Sequence, residues 1–178
     1  MENIILNIRS EAIANRIMHY CVKNKVQDIT NLKLQKLIYY VFGYFYVKNK
    51  VFLFDPKSIM FWKHGPVIPD VYHSLKHFKY CIIEDFIEDL LNNDEDGKFN
   101  IIDLKQDENT DKIIECITIV IQKIGHKTAQ QLRELSHSEN GVWDKITKDE
   151  NNSRNFDAKF LLDKYLPDLR QEIKTILL

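Results

Sequence analysis

The chain has 178 residues with 25 basic and 26 acidic side chains, a formal charge of −1, and 44% hydrophobic residues. This balance argues against a disordered chain and leaves no global attraction to phosphate backbones or anionic lipid. Three cysteines, Cys21, Cys81 and Cys116, stand far apart with no C-x-x-C pair, which argues against a disulfide framework or a thiolate zinc site.

Met1–Arg16 interleaves Glu2, Arg9 and Glu11 with apolar residues and lacks the apolar core of a signal peptide. No stretch approaches the roughly 18 apolar residues of a membrane span, so a cytoplasmic location is expected. A first helix is predicted with Ser10 as N-cap and Ile13, Ile17, Tyr20 and Cys21 on one face, ending at Lys23-Asn24-Lys25. A second helix begins at Thr30 or Asn31. Its apolar stripe is Leu34, Leu37, Ile38, Val41 and Phe45, with Lys33, Lys36 and Tyr40 off the stripe. Val51–Phe54, the Asp55-Pro56 turn and Ile59–Trp62 read as a two-stranded element between 51 and 63, ended by His64-Gly65-Pro66. Pro69-Asp70 opens a third helix with Val71, Leu75 and Phe78 inward.

Residues 84–91 read as a short amphipathic acidic segment with Phe86, Ile87, Leu90 and Leu91 inward, followed by a polar loop to Gly97 and a strand over 99–104. The periodicity is clearest from about Asp111 to Ile124, through Ile113, Ile117, Val120 and Ile121, with Gly125 as C-cap. Thr128 caps a helix running to Ser136, and Glu139–Lys148 carries Trp143 and Ile146. A last helix is predicted over 157–178, kinked or divided at Pro167. The expected fold is mainly α, one globular multi-helix domain over 1–178. It has small β elements near 51–63 and 99–104, and its centre is the Leu34 helix packed against the Ile113 helix.

Three segments combine into a more specific signal. The first is Leu32–Tyr40, with Leu34, Gln35, Lys36, Leu37, Tyr39 and Tyr40. The second is Trp62–Tyr72, with Trp62, Gly65, Pro66, Val67, Pro69 and Tyr72. The third is Ala129–Glu139, with Leu132 and His137, followed by Val142-Trp143. In this order and spacing they resemble the Panacea domain family, which includes SocA-like antitoxins and GepA-like phage-associated proteins. The resemblance covers about residues 10–147. One departure is Val142, where the family usually has proline before the tryptophan. The resemblance implies a protein that neutralises a cognate toxin by binding it, in a bacterial or prophage toxin–antitoxin module. It also implies that some members act as proteolytic adaptors, delivering the toxin to an ATP-dependent protease. It supplies no catalytic chemistry, cofactor or metal.

Read on their own chemistry, Leu34, Leu37 and Ile38 are core residues at helical spacing. Gln35 and Lys36 either solvate the helix or hydrogen-bond to the Gly-Pro turn. Tyr39 and Tyr40 diverge, so at least one phenol is expected to reach solvent or a partner. Gly65 supplies a backbone conformation that other residues resist, and Pro66 stiffens the exit. Trp143 is either a core anchor or a binding hot spot, and His137 brackets a helix junction. His73 and His77 at i, i+4 with Asp70 could share a helical face, but no fourth metal ligand is evident. Cys21 and Cys116 sit in apolar stripes as small hydrophobes.

Lys23, Lys25, Lys33, Lys36, Lys48 and Lys50, with Tyr39, Tyr44 and Tyr46 among them, are what a nucleic-acid-binding phage or mobile-element protein would use. They fall on several helix faces, which favours a solvated surface. From Glu84 to Asp96 the chain has seven acids and no lysine or arginine. This is either a solvated helix face and loop or, on the resemblance to antitoxins, a surface for a basic toxin, with Phe86, Asp94, Glu95 and Asp96 as the candidate contacts, the acids speeding encounter and Phe86 anchoring.

Overall fold

The structure, a computed structural model, describes residues 4–149, 151 and 159–178. Its organising element is helix α2 (Asn31–Asn49). Thr30 caps it, the side chain accepting the Lys33 N–H at 3.3 Å. From Leu37 to Val47 no residue is charged, and a helix apolar on every side has to be enclosed. Helices α1 (Ser10–Lys23), α4 (Thr110–Ile124), α5 (Ala129–Ser136) and α7 (Leu166–Leu177) surround it, and α3 (Pro69–Leu75) packs on it too. A sixth helix, α6 (Val142–Lys148), joins α7. The fold is mainly α. The buried side chains form one contiguous cluster.

This enclosure corrects the expected stripe. Lys33, Lys36 and Tyr40 are as buried as Leu34, because α2 has no outward face for them to occupy. Gly43 lets α7 cross closely, since a Cβ there would lie 2.6 Å from Ile173 Cδ1. The expected packing of α2 against α4 is present, with Ile113, Ile117, Val120, Ile121 and Ile124 all buried. Helix ends follow local chemistry. Thr128 and Gln131 form a reciprocal capping box at the start of α5. In α1 the cap position is Arg9, with Ser10 already helical. Gly125 follows α4 in right-handed conformation, φ −63°, so it caps without a left-handed turn. Pro167 lies in the first turn of α7 and starts that helix, where its missing N–H costs nothing. The expected start at Asp157 lies outside the described residues.

Three small two-stranded sheets decorate the helices. The two runs between 51 and 63 do not pair with each other. Instead β2 (Val51–Phe52) lies parallel to β1 (Ile4–Ile5), and β3 (Met60–Trp62) forms an antiparallel hairpin with β4 (Gly65–Val67). His64-Gly65-Pro66 therefore turns the chain into a returning strand rather than ending the sheet. The segment 84–91 is also corrected. It leads into β5 (Glu88–Asn93), paired with β6 (Phe99–Ile101), and only Ile87 of its four expected inward residues is fully buried. Asn15 of α1 explains the extended backbone. Its Nδ2 donates to the carbonyls of Ile87 (2.8 Å) and Ile102 (2.6 Å), and its Oδ1 accepts the Ile87 N–H at 2.8 Å. These bonds hold both strands at the hairpin base and leave Leu90 and Leu91 outside.

Candidate functional site

The three sequence motifs converge on the β3–β4 hairpin. Gln35, 1% exposed, accepts the Ile68 N–H at 2.8 Å and donates to Asn31 Oδ1 at 3.0 Å; Asn31 in turn donates to the Tyr72 carbonyl at 3.1 Å. Lys36, 0% exposed, donates from Nζ to the Pro66 carbonyl at 2.8 Å. Of the two roles open to this pair, the structure shows hydrogen bonding to the Gly-Pro turn and beyond it. Burial pushes the Lys36 amine down to about 7, and the charge of Arg133 adds to the effect. Gly65 has φ +98°, and a Cβ there would stand 2.8 Å from Ser136 Oγ and 2.9 Å from Lys36 Nζ. Pro66 and Val67 complete the buried strand, Pro69 begins α3, and the Tyr72 ring packs edge-on against Trp62 at 5.1 Å.

The third motif closes over the hairpin from the other side. Leu132 is fully buried beneath it. His137 Nδ1 lies 2.7 Å from the Arg133 carbonyl and Nε2 3.2 Å from the Lys63 carbonyl. Burial holds this imidazole below the ordinary histidine value, against the pull of those two oxygens. Its ring lies on Trp143, centroids 3.8 Å apart, and Trp143 Nε1 donates to the Trp62 carbonyl at 2.9 Å. Trp143 is thus half-buried and joined to the interior frame.

Tyr39 and Tyr40 correct an expectation, because both are buried and neither phenol reaches solvent. Tyr39 donates to Glu172 of α7, whose Oε2 also accepts the Val142 N–H at 3.2 Å. A proline at 142 could not make that bond. Burial raises the Glu172 carboxyl to about 7, opposed by the Val142 and Tyr39 bonds. Among the described residues, Glu172 Oε1 and the Tyr40 hydroxyl have no hydrogen-bond partner. Glu172 and Asn15 escaped the sequence reading, and Asn31 entered it only as a candidate helix start. The signal for Glu172 was its place three residues after Leu169, on the apolar stripe of α7.

The candidate contacts in the acidic segment lie elsewhere and apart from each other. Phe86 is half-buried at the base of the β5–β6 hairpin, whereas Asp94, Glu95 and Asp96 form its exposed turn. Six residues of extended strand separate them by roughly 20 Å. Asp89 pairs with Arg9 at 3.0 Å. The lysine cluster is broken up by burial: Lys33 and Lys36 are interior, as are Tyr39, Tyr44 and Tyr46. Asp70, His73 and His77 are all exposed, and among the described residues no group of three or more His, Cys, Asp or Glu is placed to hold a metal ion. Burial raises the Cys21 thiol to about 11 and the Cys116 thiol to about 12, which keeps both protonated at neutral pH. Among the described residues, no helix is long and apolar enough to cross a membrane.

Comparison with known proteins agrees with the motif geometry. The family model "Antitoxin SocA-like, Panacea domain" matches residues 34–144, the span from α2 to α6. Antitoxin SocA of Caulobacter vibrioides (strain NA1000 / CB15N) is 32% identical over 142 residues, covering 79% of this chain and 71% of that protein. No solved structure matches the chain. With the family match running from Leu34 through Trp143 and a relative 32% identical over most of the chain, this chain belongs to the antitoxin SocA-like, Panacea domain family.

Proposed function

We propose that this protein is an antitoxin that neutralises a cognate toxin by direct protein–protein binding, without turnover of a substrate. The observation that carries the reading is the 32% identity to Antitoxin SocA across 79% of the chain. The hydrogen-bonded frame of Gln35, Lys36, Gly65, His137 and Trp143 is directed inward, so these residues shape the scaffold and leave toxin contact to the outer surfaces. The exposed acidic turn Asp94–Asp96 is one such surface, suited to steering a basic partner into encounter. Nucleic acid is a poor fit to a lysine cluster of which two of the six members, Lys33 and Lys36, are buried.

The test is genetic and then biochemical. The protein encoded by the adjacent gene is expressed alone and together with this chain. Growth arrest by the neighbour alone, restored growth on co-expression, and co-purification of the two proteins are the expected results. A neighbour whose toxicity is unaffected, or rescue without a complex, would overturn the proposal.

A further inference from the structure

Between the 74–78 segment and the base of the β5–β6 hairpin runs an open groove of about 710 Å³. The buried side chains of Leu75 and Ile87 close its floor. Phe86, Leu90 and Ile101 form an apolar wall, with Leu90 71% exposed, and Glu84, Asp85 and Glu88 supply carboxylates. None of these three acids is ion-paired to another described residue. Among the described residues lining the groove, His77 alone can carry positive charge.

A second observation falls beside the opposite side of the groove, next to Phe78. Phe78, which lines the groove, begins a tight turn in which the Cys81 N–H donates to the Phe78 carbonyl at 2.9 Å. Lys79 in this turn has φ +53° and ψ −112°, a conformation that favours glycine. The strained turn displays Tyr80, 96% exposed, and tyrosine is a residue type enriched at binding hot spots.

We propose that this groove docks a basic amphipathic segment of a partner protein, its apolar face on Phe86, Leu90 and Ile101 and its cations on Glu84, Asp85 and Glu88. The charge decides among occupants. Nucleic acid and anionic membrane are repelled, and a second copy of this chain docked groove to groove would bring like charge against like. Strand addition is disfavoured because β5 is irregular between Asp89 and Asn93, so the segment seats through its side chains. The inference rests on the antitoxin reading only in making that partner a toxin.

The probe is a fluorescein-labelled Lys/Leu amphipathic helical peptide, read by anisotropy against a Glu/Leu peptide of the same pattern. The Lys/Leu peptide should bind and the Glu/Leu peptide should not. Glu84→Lys with Glu88→Lys should weaken binding about tenfold or more. Leu90→Ser and Tyr80→Ala should each weaken it severalfold, whereas Leu91→Ser, outside the groove, should leave it unchanged; circular dichroism confirms that each variant is folded. Equal binding of the two peptides, or groove variants that bind like the wild type, would overturn the proposal. So would a dimer of this chain that Leu90→Ser dissolves. With the neighbouring toxin, undiminished complex formation by the groove variants overturns the groove and leaves the antitoxin reading standing. Failure of the wild-type chain to rescue, with the peptide results intact, overturns only the antitoxin reading.

Discussion

Replacing Gly65 with alanine probes the hairpin frame at its tightest point, and Gly97 supplies an internal control. Both glycines have positive φ, +98° and +79°, so alanine at either position costs about 1–2 kcal/mol of backbone strain. At Gly97 nothing lies within 4 Å of the added Cβ, so the cost ends there. At Gly65 the Cβ would meet Ser136 Oγ at 2.8 Å and Lys36 Nζ at 2.9 Å. Displacing the amine breaks its bond to the Pro66 carbonyl at a fully buried position, a further loss of about 1–3 kcal/mol. Gly65→Ala should therefore destabilise by about 2–5 kcal/mol, with a fall in melting temperature of about 4–20 °C. Urea denaturation of both variants, with the slope checked for two-state behaviour, measures the difference. A Gly65→Ala cost no larger than that of Gly97→Ala would refute the packing argument.

Three further outcomes are expected. Ile117→Ala, in the α2–α4 interface, should cost about 2–5 kcal/mol in the same urea assay, and a loss under about half a kcal/mol would place Ile117 outside the core. Stability should also depend on pH in two opposite limbs. Lys36 has its folded pKa lowered from 10.5 to about 7, so the unfolded chain binds the extra proton between those values and stability rises with pH there. Glu172 is raised from 4.5 to about 7, so its contribution is complete below pH 4.5 and lost as pH rises through 7. Each limb has a slope of at most about 1.4 kcal/mol per pH unit. Lys36→Met should flatten the alkaline limb and Glu172→Gln the acidic one, and urea midpoints across pH that keep both limbs in both variants would contradict the assignment. On the antitoxin reading, neutralising Asp94, Glu95 and Asp96 together should slow association with the protein encoded by the adjacent gene and flatten its salt dependence without changing the melting temperature. An unchanged association rate across a salt series would remove the turn from the encounter surface.

Helices with a polar face were legible in the sequence, since a period of 3.6 residues survives wherever one side meets water. The clearest such case, Ile113 through Ile124, appears in the structure almost residue for residue. Enclosure defeats that signal. In α2 the apolar pattern runs all round, so periodicity alone could not place Tyr40 inside or choose between the two roles open to Lys36. The 84–91 segment failed for another reason. Phe86-Ile87 and Leu90-Leu91 fit helical spacing, but a distant side chain, Asn15, takes the backbone groups of Ile87 and fixes an extended path. No local pattern reports a partner 72 residues away. The motif residues were found by resemblance, while their purpose became legible only when Gln35 and Lys36 were seen bonded to the hairpin backbone. Glu172 lay hidden in an apolar stripe.

The all-round enclosure of α2 also has a consequence in time. This helix leaves the ribosome well before α7, whose Ile173 and Leu169 seat against Gly43. At bacterial-range elongation rates the delay is on the order of ten seconds. Throughout it, a helix with no polar face of its own has one side uncovered until α7 arrives. Loss of α7 from the finished protein would recreate that nascent state. Without α7 the Gly43 side of α2, which Ile173 and Leu169 otherwise cover, would stand open to water.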